Sequence, residues 1–285
     1  MNDDNLTGLK NTLDRLGFGN KLNEVMESAI RNQTPSFLLG ICSYFDPPVK
    51  LTSSQGQKDF VQYILNFGRS QKTGDYRLFN YLAELSTHNG VERKQGFEIN
   101  SDHYVTAKDA YYLLLGNSVL KEVSTRKGST LKPPEKTDVW LRLNLQIPAA
   151  LNRHPLSKFY PPHGFSVHNV VDKYPIFFQH PNDKATLINA LKKGMLPKAD
   201  MLLGCRLELV YLSINPKMKN LDVFDQRMNT ISNDYIFQQI PLSGMPQRIE
   251  FSNYTTFDLE KNTEKANEAV QGNPVDEQQG KARRR

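Results

Sequence analysis

The first stretch whose spacing suggests chemistry is GFGNK, residues 17–21, where two glycines flank Phe18 and a lysine follows. A phosphate-cradling loop shares its load among the backbone amides of a longer glycine-bracketed loop, a lysine, and a Ser or Thr that reaches Mg²⁺. Here Leu22 follows Lys21, so the hydroxyl is missing. A dinucleotide fingerprint needs a third glycine where Leu22 stands and a strand before the first, yet residues 5–16 read as a helix. Gly17 instead suits the left-handed residue that closes that helix, and Asn20 suits the N-cap of the next one. Phe18 is expected to plug the corner against the core.

The other reactive residue types are scattered. Six histidines occur, His88, His103, His154, His163, His168 and His180, and four of them share the neighbourhood of the proline-rich passage HPLSKFYPPHGF. A metal site calls for ligands on a rigid face, commonly four apart on one helix with a carboxylate or cysteine completing the set. His163 and His168 are five apart and His163 precedes the predicted helix, so they read as loop histidines. Cys42 and Cys205 sit in strand-like apolar runs and are expected to be buried thiols in a reducing compartment, since two cysteines make no disulfide framework. Asp222 and Asp225 could invite a Mg²⁺ reading, but two-metal chemistry needs more converging carboxylates than this hairpin-like segment offers. LSGMP lacks the second glycine of a nucleophile elbow. No catalytic residue, metal or cofactor is therefore assigned.

Charge is more suggestive. The formal net charge is +6, with a pI near 9.1. Lys121, Arg126, Lys127, Lys132 and Lys136 crowd one Gly/Pro-containing segment against Glu122 and Glu135, and the chain finishes in Arg283, Arg284 and Arg285. Phosphate binding by Lys and Arg needs no fixed spacing, so these eight cations are the candidate nucleic-acid contacts. Tyr63, Tyr76, Phe79 and Tyr81 would add stacking platforms if they faced outward, and would otherwise fill a core.

The elements that position these residues follow from periodicity. Leu6, Leu9, Leu13 and Leu16 form one helical stripe, and Leu22, Val25, Met26, Ala29 and Ile30 a second. Alternation then takes over: Phe37 to Phe45, Val61 to Phe67, residues 76–85, and a fourth strand ending at Ile99 after the His88-Asn89-Gly90 turn. Such short connections argue for an antiparallel sheet. Thr106 with Asp109 approximates a capping box, and Gly116 suits the end of that helix. Residues 121–137 lack periodicity and read as a basic loop or linker. Beyond them come an alternating strand over 139–147, helices carrying Val167 to Tyr174 and Ala185 to Leu191, and a long strand through Leu203, Cys205, Leu207, Leu209 and Tyr211. A return strand at Leu221 and Val223 and a strand-like piece over 235–240 complete the folded part. After Asp258 the apolar pattern stops, and a tail over 258–285 is expected to be disordered.

Several phrases in order, LKNTLDRLGFGNKLNEVMESAI, YILNFGRSQKTGDYRLFNYLAEL, VTAKDAYYLLLGNSVLKEV, VDKYPI and INPKMKNLDVFDQRM, resemble a domain-of-unknown-function family of Bacteroidetes proteins associated with conjugative transposons and other mobile elements. The resemblance runs from Leu9 to Ile231 and transfers no catalytic residue. It implies a context of mobile-element maintenance, transfer or host conflict.

The expected fold is α+β, an N-terminal helix pair packed on an antiparallel sheet over 1–120, a basic linker or loop over 121–137, and a second helix-and-β-hairpin module over 138–257. The expected function is that of a non-enzymatic accessory protein of a mobile element, binding DNA or a DNA-processing complex. The alternative is a protein–protein adaptor or host-conflict modulator without nucleic-acid affinity. No apolar run approaches the ~18 residues of a membrane helix, and an acidic start without an apolar h-region argues for a cytoplasmic location. Neither a membrane partner nor a small-molecule ligand is expected.

Overall fold

Four leucines at helical spacing, Leu6, Leu9, Leu13 and Leu16, are all buried, and they set the first helix against a sheet. A computed structural model describes residues 3–49, 56–99, 104–125, 135–147, 153–160 and 165–238, and its architecture is α+β. The predicted disordered tail over 258–285 lies outside the described residues.

Helix α1 (Asp3–Arg15) meets α2 (Asn23–Arg31) through the glycine corner. Gly17 has φ +83°. Its N–H bonds to Asp14 O at 2.9 Å and that of Phe18 to Leu13 O at 3.0 Å, the bond pair of a Schellman close. Phe18 then turns into the core, edge-on to Tyr63 and Tyr81 at centroid separations of 5.3 and 5.5 Å. A Cβ on Gly17 would meet nothing within 4 Å, so the demand for glycine is purely conformational. Gly17→Val is therefore expected to cost about 2 kcal/mol in urea unfolding. An unchanged unfolding midpoint would remove the left-handed assignment.

Two expectations fail in α2. It begins at Asn23 after Leu22, not at Asn20, and the Asn20 carbonyl closes a separate turn onto Asn23 N–H. Val25 is 57% exposed, so the buried stripe runs through Leu22, Met26 and Ile30 at intervals of one helical turn.

Strands β1 (Ser36–Phe45), β2 (Asp59–Arg69), β3 (Tyr76–Ser86) and β4 (Glu92–Glu98) form a four-stranded antiparallel meander in sequence order. The inward residues of β2, namely Val61, Tyr63, Leu65 and Phe67, are fully buried. Helix α3 (Ala107–Leu114) follows. Thr106 and Asp109 close a reciprocal capping box at its start. Its residues from Ala110 to Leu114 are all buried, which takes it past a one-faced helix into the centre of the core. Tyr63 and Tyr81 donate their hydroxyls to Ala107 O and Val105 O, each at 2.7 Å, and so tie the sheet to the helix entry.

Burial is the first cause that holds the phenols of Tyr63, Tyr81, Tyr111, Tyr112 and Tyr174 above their ordinary value of 10.0. The unfolded chain releases those protons near pH 10 and the folded one only higher. The linked stability is thus intact below that pH and falls as pH rises past it. Alkaline titration should show tyrosinate absorbance and loss of far-ultraviolet dichroism rising together. Full tyrosine ionisation near pH 10 with the dichroism unchanged would contradict it.

The basic stretch is corrected at both ends. Strand β5 (Val119–Thr125) pairs antiparallel with β6 (Glu135–Leu143), so residues 121–125 and 135–137 belong to a hairpin, not a linker. Strand β7 (Leu156–Phe159), inside the proline-rich passage, pairs with β6 to complete a three-stranded sheet. Val139, Leu141 and Leu143 enter the same core as β2, whereas Trp140 enters a second core from the opposite face. A boundary drawn through 121–137 therefore cuts a sheet that serves both cores. The β6 strand also ends at Leu143, earlier than the alternation suggested, and Ile147 is exposed.

The second core gathers α4 (Val167–Val171), α5 (Asp183–Lys192) and a five-stranded sheet of β8 (Ile176–Phe177), β9 (Lys198–Leu203), β10 (Arg206–Asn215), β11 (Asn220–Phe224) and β12 (Thr230–Ile231). The long strand through Leu203 and Tyr211 is in fact the hairpin β9–β10, turned at Gly204 and Cys205. The strand-like piece after residue 232 is α6 (Asn233–Gln238), whose Tyr235 N–H is taken by the Ser232 hydroxyl at 3.2 Å. Both cysteines are exposed, not buried: Cys42 lies on the outer face of edge strand β1, and Cys205 lies in the tight turn. Among the described residues no helix is long and apolar enough to cross a membrane.

Candidate functional site

Of the eight candidate cations, Lys121 and Lys136 are described; Arg126, Lys127, Lys132, Arg283, Arg284 and Arg285 lie outside the described residues. Lys121 is largely buried and places Nζ 2.7 Å from Asp109 Oδ2. That same oxygen accepts the Thr106 N–H at 2.9 Å, so the lysine neutralises the acid that caps α3. Lys136 is exposed and sits 2.8 Å from Glu122 Oε1 across the β5–β6 hairpin; its hydrogen bond to that carboxylate raises its pKa. Each described candidate is thus committed to a carboxylate within the fold.

The aromatic candidates divide by sheet face, and an irregularity in β3, where Phe67 pairs with Leu78 but Asn66 with Asn80, reverses the inward parity at Phe79. Tyr63, Tyr76 and Tyr81 point inward and are buried, while Phe79 is 39% exposed. The outer face instead carries residues that were not singled out. Leu38 is 64% and Tyr44 67% exposed on β1, and the Tyr44 ring lies 5.3 Å from that of its cross-strand partner Phe60. Half-buried Ile64 and Leu82 pair across β2 and β3 between them. β1 is an edge strand, SFLLGICSYF, with neither a charged residue nor a proline in its ten positions. Natural edges are usually blunted by such residues, so this one is suited to pairing or contact.

The described histidines do not converge. His154 Nδ1 lies 2.9 Å from Ile147 O, and His180 uses its backbone N–H on Asp183. His103 and His163 are outside the described residues. His88 makes the one unexpected cluster, with Nδ1 2.8 Å and backbone N 2.9 Å from Asp59 Oδ1. The other oxygen of Asp59, a residue 1% exposed, accepts the Tyr111 hydroxyl at 2.8 Å. A carboxylate that orients an imidazole is half of a catalytic relay, but what completes this one is a buried phenol. Its visible effect is to join the start of β2, the β3–β4 turn and α3.

Asp222 receives Arg142 at 3.4 Å and the Asn215 amide at 2.9 Å, joining β6 to the β10–β11 hairpin. Asp225 accepts the backbone N–H groups of Arg227 and Asn229, each at 2.8 Å, and the Asn229 side chain is the main cause of its lowered pKa. Both carboxylates thus brace turns, and among the described residues no group of three His, Cys, Asp or Glu side chains could hold a metal ion. Comparison with family models, curated proteins and solved structures finds no match to this chain, so the mobile-element resemblance rests on the ordered phrases of the sequence.

Proposed function

We propose that this protein is a non-enzymatic adaptor, working in a mobile-element context, that contacts another protein through the outer face and the β1 edge of the β1–β4 sheet. The observation that carries the reading is the uncharged ten-residue edge strand with Leu38 and Tyr44 displayed beside Phe60. Exposed apolar residues gathered on one face, unlike scattered ones, mark interaction surfaces. A strand partner would add main-chain hydrogen bonds along β1, with alternate side chains supplying specificity.

The test is recovery of a stable partner after nuclease treatment, comparing the wild type with Leu38→Lys and Tyr44→Lys. Each lysine should abolish recovery while leaving the melting temperature nearly unchanged, because both positions are exposed. Recovery undiminished in both variants would sink the reading.

The net charge of +6 supports DNA contact as a second reading. Fluorescence anisotropy with single- and double-stranded DNA should then show affinity that falls steeply with salt. Lys121 is predicted to contribute stability and not affinity: Lys121→Gln leaves Asp109 partly buried without its cation and should cost about 1–2 kcal/mol of stability. A DNA affinity loss without a stability loss in that variant would restore Lys121 as a direct contact.

A further inference from the structure

A cleft of about 620 Å³ lies between α1 and the start of β3, within the size range of small-ligand sites. Arg15 and Thr12 enter it from α1 and Arg77 from β3, with Tyr104 beside them. The Arg15 guanidinium lies 4.8 Å from the centroid of the Tyr104 ring. No carboxylate pairs with Arg15 or Arg77 among the described residues, in contrast to Lys121 and Lys136. The wall is built independently of any occupant. Asn5 exchanges two hydrogen bonds with the Tyr76 backbone, Nδ2 to O at 3.0 Å and N to Oδ1 at 2.9 Å.

One feature of this cleft lacks a packing explanation. Gly8 stands in the middle of α1, where alanine would favour the helix, and a Cβ there would meet nothing within 4 Å.

We infer that this cleft binds a small ligand carrying one phosphate group, held by Arg15 and Arg77 and seated over Gly8. Guanidinium groups present paired N–H donors that match phosphate oxygens, and an unpaired arginine keeps those donors available. Among the described residues Asp4 lines the same wall, which sets two cations against one carboxylate, a balance that suits a single phosphate better than a polyphosphate. This site is separate from the adaptor reading and stands without it.

The experiment is isothermal titration of the full chain with a nucleoside 5′-monophosphate, the parent nucleoside, inorganic phosphate and a phosphoserine peptide. The monophosphate should bind saturably, inorganic phosphate more weakly, and the nucleoside not at all. Arg77→Gln and Arg15→Gln should each weaken binding by about tenfold. Gly8→Leu should abolish it with the melting temperature unchanged or raised, since the helix accepts leucine better than glycine. Three results would each overturn the inference: no binding of phosphate or monophosphate at about 10 mM, wild-type binding by both Gly8→Leu and Arg77→Gln, or binding of the phosphopeptide in place of the monophosphate.

Discussion

Asp59→Ala is expected to destabilise the fold by about 3 kcal/mol or more, because it strands two buried or half-buried partners at once. The carboxylate is 1% exposed and serves the His88 ring and backbone N–H through one oxygen and the Tyr111 hydroxyl through the other. Removing it leaves the phenol of Tyr111 inside the core, stacked on Phe45 at 4.2 Å, with the long 3.4 Å contact to Asp46 O in place of a 2.8 Å bond. It also frees the β3–β4 turn from the start of β2. Asp59→Asn retains one acceptor oxygen and should lose roughly half as much, since its amide cannot accept the second bond. Urea unfolding of both variants measures the difference. Equal, small losses would mean that solvent reaches the cluster and that the hydrogen bonds count for little. A lost binding activity with unchanged stability would instead give the His88–Asp59 pair a functional role.

That cluster was invisible in the sequence for a simple reason. Its partners lie 29 and 52 residues from Asp59, and no local spacing relates the ends of a strand, a turn and a helix. Local rules succeeded where the information was local. The Gly17 close, the capping box of Thr106 and Asp109, and the buried alternation of Val61 to Phe67 each need a few consecutive residues. They failed where a turn preserved a pattern that it should have broken. Leu203 pairs with Arg206 across the two-residue turn at Gly204 and Cys205, so the inward face changes from odd to even numbers. Ala199, Met201 and Leu203 are buried before the turn, Val210, Leu212 and Ile214 after it, and Leu207 at the hairpin tip is 53% exposed. A continuous odd-numbered stripe of leucines concealed that reversal. The cysteines were misplaced for a related reason: an apolar run marks a strand, but an edge strand or a turn leaves its thiol in solvent. The candidate cations posed a different problem, because charge reads directly from sequence whereas pairing does not. Lys121 and Lys136 look alike as letters, yet one braces a helix cap and the other a hairpin.

Gly194→Ala should cost about 3 kcal/mol, more than the same change at Gly17, although both glycines occupy left-handed backbone. Gly194 has φ +77°, close to the +83° of Gly17. Conformational strain alone therefore predicts similar losses of about 1 kcal/mol at each. Their surroundings differ. A Cβ at Gly194 would lie 2.8 Å from Val119 Cγ2, 3.1 Å from Ser118 O and 3.1 Å from Tyr112 Cβ, whereas at Gly17 it would meet open space. The Ser118 oxygen is backbone, and Val119 is fixed in β5 within the first core, so neither gives way cheaply. The carbonyl of Gly194 also accepts the buried Asn117 amide at 2.8 Å, and a shift of the glycine would stretch that bond. Because α5 belongs to the second core, the clash would push apart the two cores at one of their points of contact without emptying either. The comparison of Gly194→Ala with Gly17→Ala subtracts the backbone strain common to both, and the remaining difference measures the close approach of the α5 terminus to the α3–β5 corner. Indistinguishable unfolding midpoints for the two variants would show that this approach relaxes at no cost.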